Sequence, residues 1–280
     1  MADELILDYE DLYLLHRHYI NLTCIDSGVA AIKENGGKPK RYNFSAFVVN
    51  VEGVALAITA GHIFSDLKQA ITAGAKLSDW AIDDSMTSDH GFPAYPIDVN
   101  LERDVVFFDE DGLDYGAYLL DPMALRALNQ SGIVPIEEAQ WNAEDLPDFP
   151  FWTLIGLPTQ FATLRHAGPS IKNHVTVHVT SLHDRPTGLK DMKHPRLFAR
   201  VEFESVAEWG RHFDIGGMSG GPIFGTRTPP QGSSYDYRLI GIQSSWDERE
   251  NVAMCAAQPF LRALVGLVRS VHGCGGKSTE

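Results

Sequence analysis

Apolar residues gather in short runs rich in Val, Ile, Phe, Leu and Thr, broken by Gly, Pro, Asn and Asp. Runs of this kind read as strands. They fall at 21–25, 44–50, 54–59, 104–108, 115–120, 152–157, 174–180, 197–203, 222–224, 238–243 and 252–256. Val51-Glu52-Gly53 between two of them has the form of a hairpin turn. So many short strands predict an all-β protein, either a sandwich or a pair of barrels.

Three stretches carry helical spacing instead. Over 9–19, Leu12, Leu14, Leu15 and Tyr19 make one apolar face. A shorter helix is expected at 122–128. A longer one is expected at 259–271, with Pro259 in its first turn; it carries Phe260, Leu261, Leu264, Val265, Leu267 and Val268 and would pack its apolar face on the body of the protein. Residues 129–150 are acidic and rich in Gly and Pro, and read as the connection between two halves. Residues 231–234, after Pro229-Pro230, read as an exposed loop.

Composition narrows the function. The 280 residues are 44% apolar and 21% charged, as in a folded protein rather than a disordered one. With 23 Lys and Arg against 37 Asp and Glu, the net charge is −14. Such a surface repels phosphate and anionic lipid, so neither nucleic acid nor membrane is an expected partner. Cys24, Cys255 and Cys274 allow at most one bridge, which fits a reducing compartment. The acidic start lacks the order of a signal peptide, and no apolar run is long enough to span a bilayer. The expected location is the cytoplasm.

Several motifs fail on their chemistry. Gly276-Lys277-Ser278 has Val271 where a phosphate-binding loop needs its first glycine, and no helix can follow it. The pairs His16 with His18 and His174 with His178 have no Cys or acid nearby to complete a ligand set, so no metal is expected. Gly217-Met218-Ser219-Gly220-Gly221 fits the elbow that presents a nucleophile at a helix start. Here Gly220, Gly221 and Pro222 follow the serine, and a helix starts poorly there.

The same residues make better sense as part of Gly216-Gly217-Met218-Ser219-Gly220-Gly221-Pro222. Glycines on both sides let the backbone take dihedrals closed to other residues. Such a turn can aim successive N–H groups into one hollow, which an oxyanion site requires. Its donors are expected to be the N–H groups of Gly217 and Ser219. Upstream, Ile58-Thr59-Ala60-Gly61-His62-Ile63 places a histidine where an apolar strand ends. Between them, Leu113-Asp114-Tyr115-Gly116-Ala117-Tyr118-Leu119-Leu120 places an acid at the head of a strand.

Taken together, in the order His62, Asp114, Ser219, these motifs resemble those of the chymotrypsin-like (trypsin-fold) serine peptidases. The likeness runs over about residues 40–260. It implies one peptidase domain over 1–280 with two six-stranded antiparallel β-barrels, at about 19–125 and 150–257, a short N-terminal helix and a C-terminal helix at 259–271. It also implies a serine endopeptidase acting on a protein or peptide substrate without a cofactor. Ser219 would be the nucleophile, His62 the base and Asp114 the acid that orients it. Asp104 and Asp109 are rival acids in less fitting contexts. By the same resemblance Phe213 and Asp214 sit at the base of a substrate pocket. Ser244, in Leu239-Ile240-Gly241-Ile242-Gln243-Ser244-Ser245, lies near a strand that pairs with the substrate backbone. Phe213 would favour a small or apolar side chain, and an inward Asp214 would favour Lys or Arg.

The sequence also departs from that family. Met218 replaces the acid that secreted members use to bury a new N-terminus, no stretch near the start matches their activation site, and nothing in these 280 residues resembles a PDZ domain. It therefore looks more like the intracellular bacterial members. The competing expectation is a latent or silent module that keeps the fold and senses a partner protein. An esterase using the same residues is a third.

Overall fold

The computed structural model describes residues 14–83, 94–143, 149–163, 171–172, 175–203, 214–227 and 236–274. Phe213, His174, the first half of the expected helix at 9–19, the loop 231–234 and the Gly276-Lys277-Ser278 tail lie outside them. Residues 14–16 are helical, but the helix stops short of its expected end: 17–18 turn, and Tyr19 opens the first strand, where its side chain is buried.

The first half is one antiparallel sheet of seven strands: β1 (Tyr19–Asp26), β2 (Lys40–Val51), β3 (Val54–Thr59), β4 (Leu77–Asp83), β5 (Tyr95–Pro96), β6 (Val105–Glu110) and β7 (Leu113–Leu119). Their spatial order is β5-β4-β1-β2-β3-β7-β6. Seven strands stand where six were expected, because the two-residue β5 adds an edge to β4. Among the described residues β5 and β6 do not pair, so this sheet is not closed. The twelve-residue β2 serves two neighbours, pairing with β1 over its first part and with β3 over its last.

The second half is a closed antiparallel barrel in the order β11-β12-β15-β14-β13-β8. Its strands are β8 (Phe151–Gly156), β11 (Val175–Leu182), β12 (Leu197–Val201), β13 (Pro222–Arg227), β14 (Asp236–Trp246) and β15 (Asn251–Ala256). A two-stranded ribbon of β9 (Ala162–Thr163) and β10 (Ile171–Lys172) stands apart from it.

Helices fill the remaining places: α1 (Val29–Glu34), α2 (Gly61–Thr72), α3 (Pro122–Gln130), α4 (Glu138–Trp141) and α5 (Ala257–Cys274). Asp121 caps α3 by accepting from the Met123 and Ala124 N–H groups, and Pro122 needs no such partner. The acidic connection is not all loop. Glu137 and Gln140 close a capping box around α4, which buries Trp141.

One core joins the halves. Phe47, Ile58 and Tyr115 of the first sheet pack with Phe224, Leu239 and Ile242 of the barrel and Phe260, Leu261 and Leu264 of α5. Tyr115 stacks on Phe260 with centroids 4.7 Å apart and donates its hydroxyl to the Ala256 carbonyl at 2.9 Å. This shared packing brings the end of β3 and the start of β7 against the loop before β13.

Candidate active site

The site begins at the end of β3. Thr59 and Ala60 are fully buried, and Gly61 lies against the carbonyls of Phe108 and Tyr115 with no room for a side chain. The chain then turns into α2, and His62 sits in its first turn. Sequence reading placed His62 at a strand end and missed this helix. Its apolar stripe of Ile63, Phe64 and Leu67 was the available signal.

The cap residue of α2, Ala60, has no side chain to satisfy the first N–H groups. Asp114, from the second position of β7, supplies the acceptor. Its Oδ1 takes the His62 backbone N–H at 2.8 Å, and its Oδ2 takes the ring Nδ1, also at 2.8 Å. One buried carboxylate therefore fixes both the helix end and the ring. Gly116 lets this happen, since a Cβ there would enter the Phe64 ring. Of the rival acids, Asp104 is held by Arg103, and Asp109 sits opposite Asp114 in the ladder without touching the ring.

Ser244 completes the acid's surroundings. The strand register between β14 and β15 shifts from Gln243 to Ser245, so Ser244 has no partner in β15. Its hydroxyl makes a short hydrogen bond to Asp114 Oδ2. By resemblance Ser244 was expected beside the substrate; its contact with the acid carried no local signal.

The electrostatics follow. Burial disfavours charge on His62, but the hydrogen bond and charge of Asp114 outweigh it, with Asp66 and Asp109 adding to the effect. The His62 pKa lies above its ordinary 6.5. Burial likewise opposes charge on Asp114, yet the bonds from His62 and Ser244 hold its carboxyl below the ordinary 3.8.

Ser219 lies between two glycines with left-handed dihedrals, Gly217 (φ 95°) and Gly220 (φ 87°). Gly220 is also pressed against Ser45 and Thr59, so no other residue fits there. The loop uses some N–H groups on itself. Met218 donates to the Ile215 carbonyl at 3.1 Å, Gly220 to Gln243 at 2.8 Å, and Gly221 to Met218 at 2.9 Å. The N–H groups of Gly217 and Ser219 donate to nothing among the described residues. The Thr159 N–H holds the Gly216 carbonyl at 2.8 Å, and a trans peptide then turns the Gly217 N–H the opposite way. Ser45, fully buried on β2, donates to the Gly217 carbonyl at 3.2 Å and accepts the Leu157 N–H at 3.0 Å. Neither Thr159 nor Ser45 was found from sequence, because both act through the fold.

Ser219 and His62 line the same cavity, of about 450 Å³, together with Gly217. The Ser219 hydroxyl donates to the Ser244 carbonyl at 3.4 Å and makes no hydrogen bond to the ring. The other face of His62 borders a cavity of about 400 Å³ with Asp114, Ser244 and Ser245. A third cavity, of about 1100 Å³, lies between the serine loop and the β14–β15 turn. Asp214, Gly216, Trp246, Asp247, Glu248 and Glu250 are among its walls. Asp214 is exposed there, and its Oδ1 accepts the Gly216 N–H at 2.6 Å.

Among the described residues no group of three or more His, Cys, Asp or Glu side chains could hold a metal ion. No helix among them is long and apolar enough to cross a membrane.

No protein-family model matches the sequence, and no curated protein does. Solved structures do resemble it. The chain is similar to a thermostable serine protease, AL20, from an extremophilic microorganism. That likeness has 12% identity and a TM-score of 0.49, over 91% of this chain and 98% of that one. It is also similar to HL collagenase, with 12% identity and a TM-score of 0.44, over 90% of this chain and 93% of that one.

Proposed function

We propose that the chain is a serine endopeptidase that cuts peptide bonds in a protein substrate with Ser219, His62 and Asp114. The supporting observation is the grip of Asp114 on both the backbone and the Nδ1 of His62, with Ser219 in the wall of the same cavity. A carboxylate accepts only, so Nδ1 carries the proton and Nε2 is left as the base. Ser219 Oγ attacks the substrate carbonyl as its proton passes to Nε2. The oxyanion that forms is held by the Gly217 and Ser219 N–H groups, each worth about 3–4 kcal/mol in such sites. His62 then gives the proton to the leaving amine, and water repeats the sequence on the acyl-enzyme.

The two sheets correspond on this proposal to the two barrels of one peptidase domain, with the first open between β5 and β6 among the described residues. Asp214, with Asp247, Glu248 and Glu250 against Arg249 as the single cation among the described lining residues of the cavity of about 1100 Å³, favours a Lys or Arg side chain on the acyl side of the bond. Ser244 and Ser245 border the substrate strand. The unbridged, buried Cys24 and Cys255 fit a reducing compartment such as the cytoplasm.

A fluorophosphonate probe tests the proposal directly. Wild type should be labelled, and Ser219→Ala and His62→Ala should not be. A folded wild type that takes no label would end the case for a preassembled peptidase. One observation favours a second reading, a latent module awaiting a partner: the Ser219 hydroxyl rests on the Ser244 carbonyl rather than on His62. Labelling that appears only with an added partner would decide for it.

A further inference from the structure

We infer that the cavity shared by His62, Gly217 and Ser219 receives the side chain that follows the cut bond, and that it selects an apolar one. The inference rests on the peptidase proposal and names half of the substrate.

Position comes first. The other two cavities at the site share the β14 strand: Ser244 and Ser245 line one and Trp246 the other. The acyl part of a substrate lying along that strand reaches Ser219 from there. What remains on the far side of Ser219 is the cavity over Gly217, Thr159 and α2. His62 stands between the two sides, where it must be to pass a proton to the departing amine.

Chemistry comes second. The walls are Tyr42 and Phe44 from β2, Ile63 and Leu67 from α2, and Leu77 from the start of β4. Tyr42 and Phe44 stack nearly parallel, 9° apart in plane with centroids 6.3 Å apart. Asp66, at the exposed rim, is the one acid besides the catalytic groups among the lining residues. A carboxylate here would lose water and meet that like charge. A glycine would leave the walls wet. Leu, Ile, Met or Phe would bury apolar surface against three separate elements.

The experiment is a digest of a proteome-derived peptide library with purified full chain, reading the residues on both sides of every cut by mass spectrometry. The expected result is an enrichment of Leu, Ile, Met and Phe immediately after the cut, about tenfold over Gly and Asp. Ala70→Phe, which fills the cavity, and Tyr42→Ser, which removes a wall, should each flatten that position while the acyl-side preference persists. Fluorophosphonate labelling is scored on the same samples, because it needs no residue after the bond. An unlabelled wild type would remove the peptidase proposal and this inference with it. A labelled wild type with a flat or charged profile, or one that cuts nothing in the library, overturns the inference alone. So does a labelled variant that keeps the apolar preference.

Discussion

The ion pair between Asp114 and His62 is where rate and stability pull apart. Because the His62 pKa is raised, its charged form is favoured by folding. That stabilisation is complete below 6.5 and is lost as pH rises through the folded value. The depressed Asp114 carboxyl contributes above 3.8 and is lost as pH falls through its own folded value. The pair therefore stabilises most between those two ordinary values, where the imidazole is protonated and cannot act as a base. The kcat/KM profile of a labelled, active preparation should accordingly have an acid limb with a midpoint above 6.5. Asp114→Asn should move that midpoint down and lower the rate by about four orders of magnitude, as loss of the orienting charge does in such triads. An acid limb at or below 6.5 in wild type would contradict the arrangement.

At the level of elements, the serine loop is held from outside by β2. The Ser45 hydroxyl joins Tyr19, Leu157 and the Gly217 carbonyl at a fully buried point. Ser45→Ala would leave the Leu157 N–H without its acceptor and release the Gly217 peptide. Unmet buried groups of this kind cost about 1–3 kcal/mol. The expected outcome is a lower Tm and, on the peptidase proposal, a drop in kcat larger than any change in KM, because oxyanion donors matter most in the transition state. An unchanged kcat would separate Ser45 from the loop's function.

This element also marks the limit of reading from sequence. The strand at 54–59 is found with the expected ends, and His62, Asp114 and Ser219 are legible in the sequence only together, through the order of three short motifs along the chain. Elements whose patterns mix are not legible. The strand Leu77–Asp83 carries Asp79 and Asp83 within an apolar run, and α2 opens on a glycine without a capping side chain. Ser45 had no signal at all. Its role exists only once β2, β8 and the serine loop meet, and a single buried hydroxyl leaves no periodic trace.

At the scale of the molecule, the segment before β1 is fastened to the barrel by histidines that folding keeps neutral. His18 Nδ1 is 2.7 Å from the Val134 carbonyl and Nε2 is 2.8 Å from the Tyr237 hydroxyl, which Arg17 also reaches at 3.2 Å. A carbonyl can only accept, so the proton sits on Nδ1 and Tyr237 donates to Nε2. His16 meets Thr176 at 2.6 Å. Burial lowers both rings to about 4. Since the unfolded chain binds these protons near 6.5, stability should fall as pH drops from 6.5 towards 4, by about 3 kcal/mol for each ring. Urea melts of wild type across that range, beside His18→Gln, check this. A wild-type curve as flat as the variant's would refute it.

The core that joins the two sheets has a consequence for how the chain could be divided. His62 and Asp114 belong to the first sheet, while Ser219 and the two unused N–H groups belong to the loop that enters the barrel. Cut after residue 143 and expressed as two polypeptides, each fragment would expose one side of a surface built from Phe47, Ile58, Phe224, Leu239 and Phe260. Neither fragment holds a complete set of reacting groups. On the peptidase proposal, turnover would then report reassociation, and the divided chain would serve as a split reporter whose signal is the reunion of the proposed base with the proposed nucleophile.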